Sequence, residues 1–308
     1  MKLIRGITNL NQNDTACVAS IGNFDGLHLG HQKIISRLKE KAIQLNLPVT
    51  IISFEPLPAE YFMPNPPARI YPMRDKVRRL NQLGVDNYLC LKFDHAFANQ
   101  SPETFIKEIL LDKLNVKYLA VGDDFRFGKE RAGDFKLLKK LGLTNGMEVT
   151  DTPTCKVDGK RVSSTRIRHH LENGEITAAN HLLGYPYQLS GRVRHGDKRG
   201  RTIGFPTLNM RVLNHIAPQR GVYAVKVHGL GSTIYHGVAN LGRRPTVKGT
   251  ENRLETHVFD FDQNVYGKHI CVELVEYIRE EKKFEDFEEL KNQIKIDADL
   301  AKQMLHKV

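Results

Sequence analysis

The sequence predicts an α/β domain with a Rossmann-like parallel sheet, followed by an antiparallel β-barrel domain that ends in a helix. In the first half, short apolar runs alternate with helical patterns. In the second half, β-branched and aromatic runs follow one another without helices between them. The 308 residues are enough for two ordinary domains, and the pattern changes after Leu183-Gly184-Tyr185-Pro186. We therefore predict domains at 1–184 and 185–308.

Apolar runs in the first half predict buried strands, and the segments between them predict amphipathic helices. The strands fall at 17–21, 49–54, 87–91, 118–121 and 148–150, and the helices at 31–46, 73–83, 102–114 and 135–141. Strands that alternate with helices form parallel sheets, which bind ligands at the carboxyl ends of their strands. Prolines concentrate in 56–72, so that stretch is predicted to be irregular.

The second half predicts an antiparallel sheet or small barrel. Its strand-like runs fall at 221–227, 234–240, 254–261 and 269–277, separated by turn residues. Over 284–305, one helical face carries four apolar residues, which predicts a closing helix: Phe287, Leu290, Ile294 and Leu300.

The chain carries a formal charge of +11, which suggests either anionic small ligands or a nucleic acid. Basic residues cluster within 192–201, but few aromatic residues accompany them and no nucleic-acid recognition motif is present. No apolar run is long enough to cross a bilayer, the first residues lack the apolar region of a signal peptide, and the four cysteines form no C-x-x-C pair. We predict a cytoplasmic protein with free thiols, no nucleic-acid partner and no membrane partner.

Residues 22–31, Gly-Asn-Phe-Asp-Gly-Leu-His-Leu-Gly-His, follow the first predicted strand and open the first predicted helix. Backbone amides and the helix dipole at such a junction favour an anion, and His28 and His31 can donate hydrogen bonds to phosphate oxygens. The spacing excludes both G-x-G-x-x-G and the Walker loop. A plain structural junction stays open, and so does metal binding, although zinc needs three or four ligands and this segment offers two. The pattern favours a nucleotide site.

A second motif, Ser163-Ser164-Thr165-Arg166-Ile167-Arg168, lies downstream of Asn23, Asp25 and His28-Leu29-Gly30-His31. Together the two motifs resemble the signature of the HxGH nucleotidyltransferases. The wider segments G-N-F-D-G and, at 122–128, G-D-D-F-R-F-G resemble one branch, the bacterial bifunctional riboflavin kinase/FMN adenylyltransferases, or FAD synthetases. The resemblance extends over essentially the whole chain.

For the first domain the resemblance implies adenylyl transfer from ATP to FMN, which gives FAD and pyrophosphate. His28 and His31 would stabilise charge on the ATP phosphates. Ser164 or Thr165 would cap a helix that ends before Gly174, although an ordinary cap with surface arginines stays open from the residues alone. The resemblance assigns nucleotide or phosphate contacts to Gly22, Asn23, Asp25, Ser164, Thr165 and Arg168, and flavin or substrate contacts to Asp123, Asp124, Phe125 and Arg161.

Residues 196–209, Gly-Asp-Lys-Arg-Gly-Arg-Thr-Ile-Gly-Phe-Pro-Thr-Leu-Asn, interleave glycines with basic residues, which can wrap phosphates or form a basic hairpin turn. The segment resembles the riboflavin kinase signature, which implies phosphorylation of riboflavin by ATP in the second domain. By that resemblance Thr207 and Asn209 would hold Mg²⁺, and Glu255 would be the general base. Phosphate contacts are assigned to Gly196, Lys198, Gly200 and Arg201, and a further flavin contact to Arg279.

We therefore predict an enzyme with both activities, in which Glu255, His28 and His31 are catalytic. Mg²⁺ is the predicted cofactor, ATP the co-substrate, and riboflavin, FMN and FAD the substrates or products. The predicted partners are small molecules, and the chain is predicted to be a monomer or weak homo-oligomer. Two alternatives are a single-function enzyme in which one domain binds ligand without turnover, and a basic RNA-associated protein on a nucleotidyltransferase fold.

Overall fold

Two units make up the chain, and each is described by itself. The computed structural model describes residues 1–11, 16–122, 124–196, 204–246 and 249–306. The first unit contains residues 1–67 and 76–163, and the second contains residues 68–75 and 164–308.

A six-stranded parallel sheet forms the centre of the first unit. Its strands are β1 (Lys2–Arg5), β2 (Val18–Ile21), β3 (Val49–Glu55), β4 (Asn87–Lys92), β5 (Tyr118–Gly122) and β6 (Glu148–Thr152). They lie in the order β1-β4-β3-β2-β5-β6, and every neighbouring pair is parallel. Because β2 is buried along its whole length, it lacks the polar alternation of a half-exposed strand. The predicted parallel sheet is confirmed, and β1 is an additional edge strand. A separate antiparallel pair, β7 (Lys156–Val157) and β8 (Lys160–Arg161), follows β6 in the same unit.

Helices connect the strands of this sheet. They are α1 (Leu29–Leu45), α2 (Pro58–Phe62), α3 (Met73–Gln82), α4 (His95–Ala98), α5 (Pro102–Thr104) and α6 (Phe135–Thr144). A π-helix over Phe105–Lys113 continues α5, and single 3-10 turns occupy Ile7–Asn9 and Lys129–Arg131. The proline-rich segment contains one short helix, α2, and is otherwise irregular up to α3, as its composition predicts.

The chain order of the strands creates a switch point between β2 and β5. From β2 the sheet grows to one side through β3 and β4, and the chain then returns to β5 on the other side of β2. Open α/β sheets bind ligands at the carboxyl edge of such a switch point. The turn at 22–28 follows β2, and Asp124 and Phe125 follow β5, so the fold brings two of the predicted motifs to this edge.

The second unit begins with two helices, α7 (Ser164–Glu172) and α8 (Ile176–Leu183). Gly174 separates them with a φ of 72°, and its amide donates to the carbonyl of Leu171 at 3.2 Å. The left-handed conformation at this position favours glycine, which agrees with the predicted end of the helix.

A six-stranded antiparallel sheet follows. Its strands are β9 (Gln188–Arg192), β10 (Leu208–Val212), β11 (Gly221–His228), β12 (Tyr235–Thr246), β13 (Gly249–Val258) and β14 (His269–Arg279). They lie in the order β10-β13-β12-β11-β14-β9. A bridge between Arg194 and Asn209, whose N···O distance is 2.8 Å, joins the two edges. The predicted barrel is confirmed, and it contains two strands that were not predicted from the sequence, β9 and β10.

The last helix, α9 (Phe287–Leu305), packs on the outer face of this barrel. Asp286 caps it by accepting a hydrogen bond from the amide of Glu289 at 2.8 Å. Ala298, Ala301 and Leu305 pack against apolar side chains of β11 and β12. The predicted closing helix is thus confirmed, with its first turn later than expected. The predicted apolar face is wrong in part, because Phe287 is 55% and Leu300 37% exposed. In the part of the chain that the structure describes, no helix combines the length and the apolar character needed to cross a bilayer.

The division into units places α7 and α8 with the barrel, whereas the predicted domain boundary follows residue 184. Within the second unit, the amide of Tyr187 donates to Oδ1 of Asn180 on α8 at 2.8 Å, and the amide of Gln219 donates to the carbonyl of Leu171 at 2.9 Å. These contacts explain why the helices group with the barrel. The domain boundary at residue 184 stays a prediction, because the division into units reflects these contacts and does not test it.

Candidate active sites

The turn between β2 and α1 has an unusual backbone. Phe24, Gly26 and Leu27 have φ angles of 45°, 85° and 46°, so three of four consecutive residues are left-handed. Phe24 and Leu27 accept this conformation while their side chains are buried at 1% and 0% exposure. Such strained backbone persists only where the surrounding packing fixes it, and it concentrates at functional sites.

The two predicted catalytic histidines lie together at the start of α1. His28 is the N-cap, and its Nδ1 accepts a hydrogen bond from the amide of His31 at 3.3 Å. Their rings stack with centroids 3.7 Å apart. A Cβ on Gly30 would lie 3.1 Å from the His28 ring, so glycine leaves room for this ring arrangement. Among the described residues, no group of three or more His, Cys, Asp or Glu is arranged to hold a metal ion.

Both imidazoles are neutral at pH 7. Burial lowers the pKa of His28 to about 4, and the Arg161 guanidinium acts in the same direction. Burial also lowers the pKa of His31 well below its usual range, and the nearby His28 and Lys76 add to that shift. Because Nδ1 of His28 accepts a hydrogen bond, its proton lies on Nε2. An incoming triphosphate would favour protonation of these rings through its negative charge.

Lys76 is a buried cation at the same turn and is not among the residues predicted from the sequence. Its side chain is 3% exposed, and its Nζ donates to the carbonyl of Asn23 at 2.8 Å. The position of Lys76, four residues before the buried Leu80, places it on the inner face of α3. A lysine at an apolar position of a predicted helix is the sequence signal for such a residue.

The remaining predicted nucleotide contacts of the turn are Gly22, Asn23 and Asp25, and they differ in exposure and in hydrogen bonding. The amide of Gly22 donates to the carbonyl of Ile52 at 3.1 Å, which holds the end of β2 against β3. Asp25 is 4% exposed, whereas the Asn23 side chain is exposed. The side chain of Asn23 is therefore accessible to a ligand, whereas that of Asp25 is buried within the turn.

Three of the predicted flavin contacts lie beyond β5. Asp124 Oδ2 pairs with Nη2 of Arg161 at 2.8 Å, and both side chains are at least half exposed. Phe125 stacks on Phe127 with centroids 5.4 Å apart. The structure thus brings Asp124 and Arg161 together, while Asp123 lies outside the described residues.

Ser164, Thr165 and Arg168 belong to the second unit, where Ser164 is the first residue of α7. Nε of Arg168 donates to the carbonyl of Ala68 at 2.6 Å, so this guanidinium has a structural partner. Joint action of this motif with the histidine pair of the first unit stays a prediction.

The barrel register brings distant residues of the second site into one line. Asn209 pairs with Glu255, Glu255 with Asn240, Asn240 with Val222, and Val222 with Arg279. Directly paired residues in a sheet point to the same face. The predicted metal ligand Asn209, the predicted base Glu255 and the predicted flavin contact Arg279 therefore lie in one row that crosses five strands.

Asn209, Thr207 and Gly196 are in contact at one end of this row. Nδ2 of Asn209 lies 3.4 Å from Oγ1 of Thr207, and a Cβ on Gly196 would lie 2.6 Å from Oδ1 of Asn209. Within the described residues, this buried Oδ1 accepts no hydrogen bond. Because hydroxyl and amide oxygens suit Mg²⁺, the pair fits a magnesium site. The predicted phosphate contacts Lys198, Gly200 and Arg201 lie outside the described residues.

Arg279 is held by α9. Its Nε and Nη2 donate to the two carboxylate oxygens of Asp297 at 2.9 and 2.6 Å, and Nη1 donates to the carbonyl of Glu280 at 2.8 Å. Asp297 is 3% exposed. The bidentate pair fastens the end of β14 to the helix, so Arg279 has a structural role whether or not it also contacts flavin.

These observations define a class: a two-site enzyme whose sites both present groups suited to nucleotide phosphates. The family model for FAD synthetase matches residues 10–166, and that for riboflavin kinase matches residues 183–305. The chain is 47% identical over 303 residues to the bifunctional riboflavin kinase/FMN adenylyltransferase of Haemophilus influenzae, covering 98% of each. It is 48% identical over 305 residues to that of Escherichia coli K12, covering 98% of this chain and 97% of the relative. The chain belongs to the bifunctional riboflavin kinase/FMN adenylyltransferase family, as its motifs predict.

A crystal structure also shares the fold over the whole length. It is described as a macrolide-efflux protein from Streptococcus pneumoniae, with a TM-score of 0.82 and 30% identity over 98% of this chain and 99% of that chain. The efflux description belongs to that protein, and the match shows the common architecture.

Proposed function

We propose that this chain makes FAD from riboflavin in two ATP-dependent steps, one at each site. The observation that carries the proposal is that a single chain contains both family domains, each with its own phosphate-handling motif. The described residues include His28 and His31 in the first domain and Thr207, Asn209 and Glu255 in the second.

In the first step the 5′-hydroxyl oxygen of riboflavin attacks the γ-phosphorus of ATP, and the bond to the β-phosphate oxygen breaks to release ADP. Glu255 would accept the hydroxyl proton as the P–O bond forms. Thr207 and Asn209 would hold Mg²⁺, which would neutralise charge on the phosphates. Gly196 would let the loop approach those phosphates, together with Lys198, Gly200 and Arg201. The register contact between Asn209 and Glu255 supports this assignment.

In the second step a phosphate oxygen of FMN attacks the α-phosphorus of ATP, and pyrophosphate leaves. His28 and His31 would bind phosphate oxygens and stabilise the charge of the transition state, and Ser164, Thr165 and Arg168 would bind the rest of the phosphate tail. Asp124, Phe125 and Arg161 would contact the flavin or its phosphate. Positioning and charge stabilisation suffice, since no covalent enzyme intermediate is needed.

The test uses the purified full-length protein with riboflavin, ATP and Mg²⁺, with products separated by chromatography. We expect FMN first and FAD afterwards, and the absence of both would refute the proposal. Glu255→Gln should lower FMN formation by about 10²–10⁴-fold, as loss of a general base does, and leave FAD formation from supplied FMN intact. His28→Ala should do the reverse. Loss of both activities in either variant would contradict independent sites.

We also propose a cytoplasmic location and small-molecule partners only, in a monomer or weak homo-oligomer. The four free cysteines support a reducing compartment. Sedimentation at several concentrations tests the oligomeric state, and a gel shift with RNA at low and physiological salt tests the absence of nucleic-acid binding.

A further inference from the structure

Asn240 occupies the row of the second site next to the predicted base. It lies on β12 directly opposite Glu255 of β13, and Glu255 in turn lies opposite Asn209 of β10. Opposed residues of antiparallel strands have Cβ atoms about 4.5–5.5 Å apart. Glu255 is therefore flanked by two carboxamides on the same face, one on the side of the predicted metal and one on the opposite side.

The carboxamide of Asn240 has one hydrogen-bonded end and one end without a partner among the described residues. Its Nδ2 donates to Oε1 of Glu281 at 3.4 Å. Its Oδ1 is buried and accepts no hydrogen bond from any residue that the structure describes. Buried acceptors in folded proteins nearly always have a donor, so an unpaired one requires an explanation such as a catalytic or binding role.

Glu281 determines which end of the carboxamide is left without a hydrogen bond. A carboxylate only accepts hydrogen bonds, so Asn240 must turn its NH₂ group toward Glu281 and its oxygen away. Gly242 leaves the space for this contact, because a Cβ there would overlap Oε1 of Glu281 and lie 3.1 Å from Nδ2 of Asn240. Residues of β12 and of the segment after β14 thus orient a single acceptor atom.

The surroundings select the chemistry of the donor. Glu255 lies opposite Asn240 in the sheet, Glu281 accepts from its NH₂ group, and the charge of each carboxylate disfavours phosphate at this end of the row. The Arg220 guanidinium interacts with Glu281 and offsets part of that charge, so Glu255 carries most of the discrimination. A neutral hydroxyl carries a donor without negative charge and fits an acceptor beside carboxylates. The phosphoryl donor therefore belongs at the Asn209 end of the row, and the alcohol belongs at the Asn240 end.

We propose that Asn240 is a substrate-binding residue of the kinase site that accepts a hydrogen bond, through Oδ1, from a second hydroxyl of the polyol whose terminal hydroxyl is phosphorylated. Glu281 acts as its positioning residue. This inference rests on the proposed function, in which the polyol is the ribityl chain of riboflavin. The contact holds the chain so that its terminal oxygen lies at Glu255.

The test compares Asn240→Ala with the unchanged protein on two alcohols. One is riboflavin, and the other is a flavin with a 5-hydroxypentyl chain, which keeps the terminal hydroxyl and lacks the others. The quantity compared is the KM for riboflavin and, for the analogue, its KM if it is phosphorylated or its Ki against riboflavin if it is not. We expect Asn240→Ala to raise the KM for riboflavin about 10-fold, as loss of one hydrogen bond does, with a smaller effect on kcat. The constant for the analogue should change less than about 2-fold, because it offers Asn240 no donor.

Equal losses on both alcohols would mean that Asn240 is only structural and would overturn the proposal, and so would an unchanged KM for riboflavin. FAD formation from supplied FMN in the same variant controls for folding. Glu281→Gln keeps the shape of the positioning residue and removes its charge, so we expect a smaller rise in the KM for riboflavin, about 3-fold. If the unchanged protein makes no FMN, the proposed function itself fails, which is a different result.

Discussion

Nδ1 of His28 accepts a hydrogen bond from the amide of His31 at 3.3 Å, so the histidine that is predicted to bind phosphate is also the N-cap of its helix. One ring therefore serves two purposes. The cap requires Nδ1 without a proton, and the phosphate contact is left to Nε2–H. This arrangement explains why a buried and neutral histidine suits the position, although its uncharged state weakens its attraction for free anions.

The lowered pKa of His28 predicts a pH-dependent stability. The unfolded chain takes up a proton near pH 6.5, whereas the folded chain does so only near pH 4. Between these values the unfolded state binds more protons, so the free energy of unfolding falls as the pH falls through this window. We expect His28 to account for a loss of about 2 kcal/mol between pH 7 and pH 5.

The substitution His28→Asn tests whether His28 causes this pH dependence of stability, since it keeps an N-cap acceptor and removes the titrating ring. Urea unfolding at pH 7, 6 and 5 should show that the variant loses less stability on acidification than the unchanged protein. Parallel losses in the two proteins would show that His28 does not titrate in this way.

Gly196→Ala should abolish most of the kinase activity. The added Cβ would lie 2.6 Å from Oδ1 of Asn209, so the carboxamide must move away from Thr207. A displacement of about 1 Å in a positioned group can lower a rate about 100-fold. FMN formation measures the loss, and FAD formation from supplied FMN should not change.

Gly231→Ala is the matched control for this substitution. Gly231 is exposed, and a Cβ there would have no described non-neighbouring atom within 4 Å. It should therefore leave FMN formation unchanged. Similar rates for the two alanine variants would show that Gly196 does not support the placement of Asn209.

The local sequence pattern predicted most strands of both sheets. Buried parallel strands are continuous apolar runs, and the barrel strands are rich in β-branched residues. It failed where local sequence is uninformative. β1 is mostly exposed and gains its conformation from pairing with β4, while β9 and β10 are short strands fixed by the barrel. The π-helix at Phe105–Lys113 follows a helical pattern that does not reveal its wider turns.

The sites were predictable only in part for the same reason. His28, Gly30 and His31 act within one turn, so their motif is visible in the sequence. Asn240, in contrast, joins Asn209 and Glu255 through the register of three strands, which no local pattern encodes. Lys76 is another such residue, since only packing places its ammonium at the carbonyl of Asn23.

Lys76→Met should lower adenylyl transfer. The substitution keeps the length and burial of the side chain and removes the hydrogen bond to Asn23 and the positive charge beside His31. Loss of a hydrogen bond from a charged donor typically costs about 10-fold in binding or rate. The rate of FAD formation from FMN should fall by that factor.

The control for Lys76 is Lys136→Met, an exposed lysine on α6 that makes the same change in net charge. It should have no effect on FAD formation. FMN formation should be normal in both variants, and equal rates of FAD formation would assign Lys76 to packing alone.

The alkylation rates of the cysteines can report nucleotide binding at the first site without any substitution. Cys17 and Cys90 are buried, and burial raises the pKa of Cys17 to about 11, so neither should react with an alkylating reagent while the protein is folded. Cys155 and Cys271 are partly exposed and should react. The Cβ of Cys155 lies 3.7 Å from the place where a Cβ on Gly30 would stand, and Cys271 lies in the barrel.

ATP bound at the start of α1 should therefore slow the alkylation of Cys155 and leave Cys271 unchanged, because only Cys155 adjoins that turn. Mass spectrometry of alkylated peptides at increasing ATP concentrations follows each thiol separately. Equal protection of the two cysteines would indicate a general tightening of the fold, and no protection of Cys155 would place the nucleotide elsewhere. Half-protection of Cys155 at the ATP concentration that half-saturates FAD formation would tie the bound nucleotide to the adenylyl-transfer site.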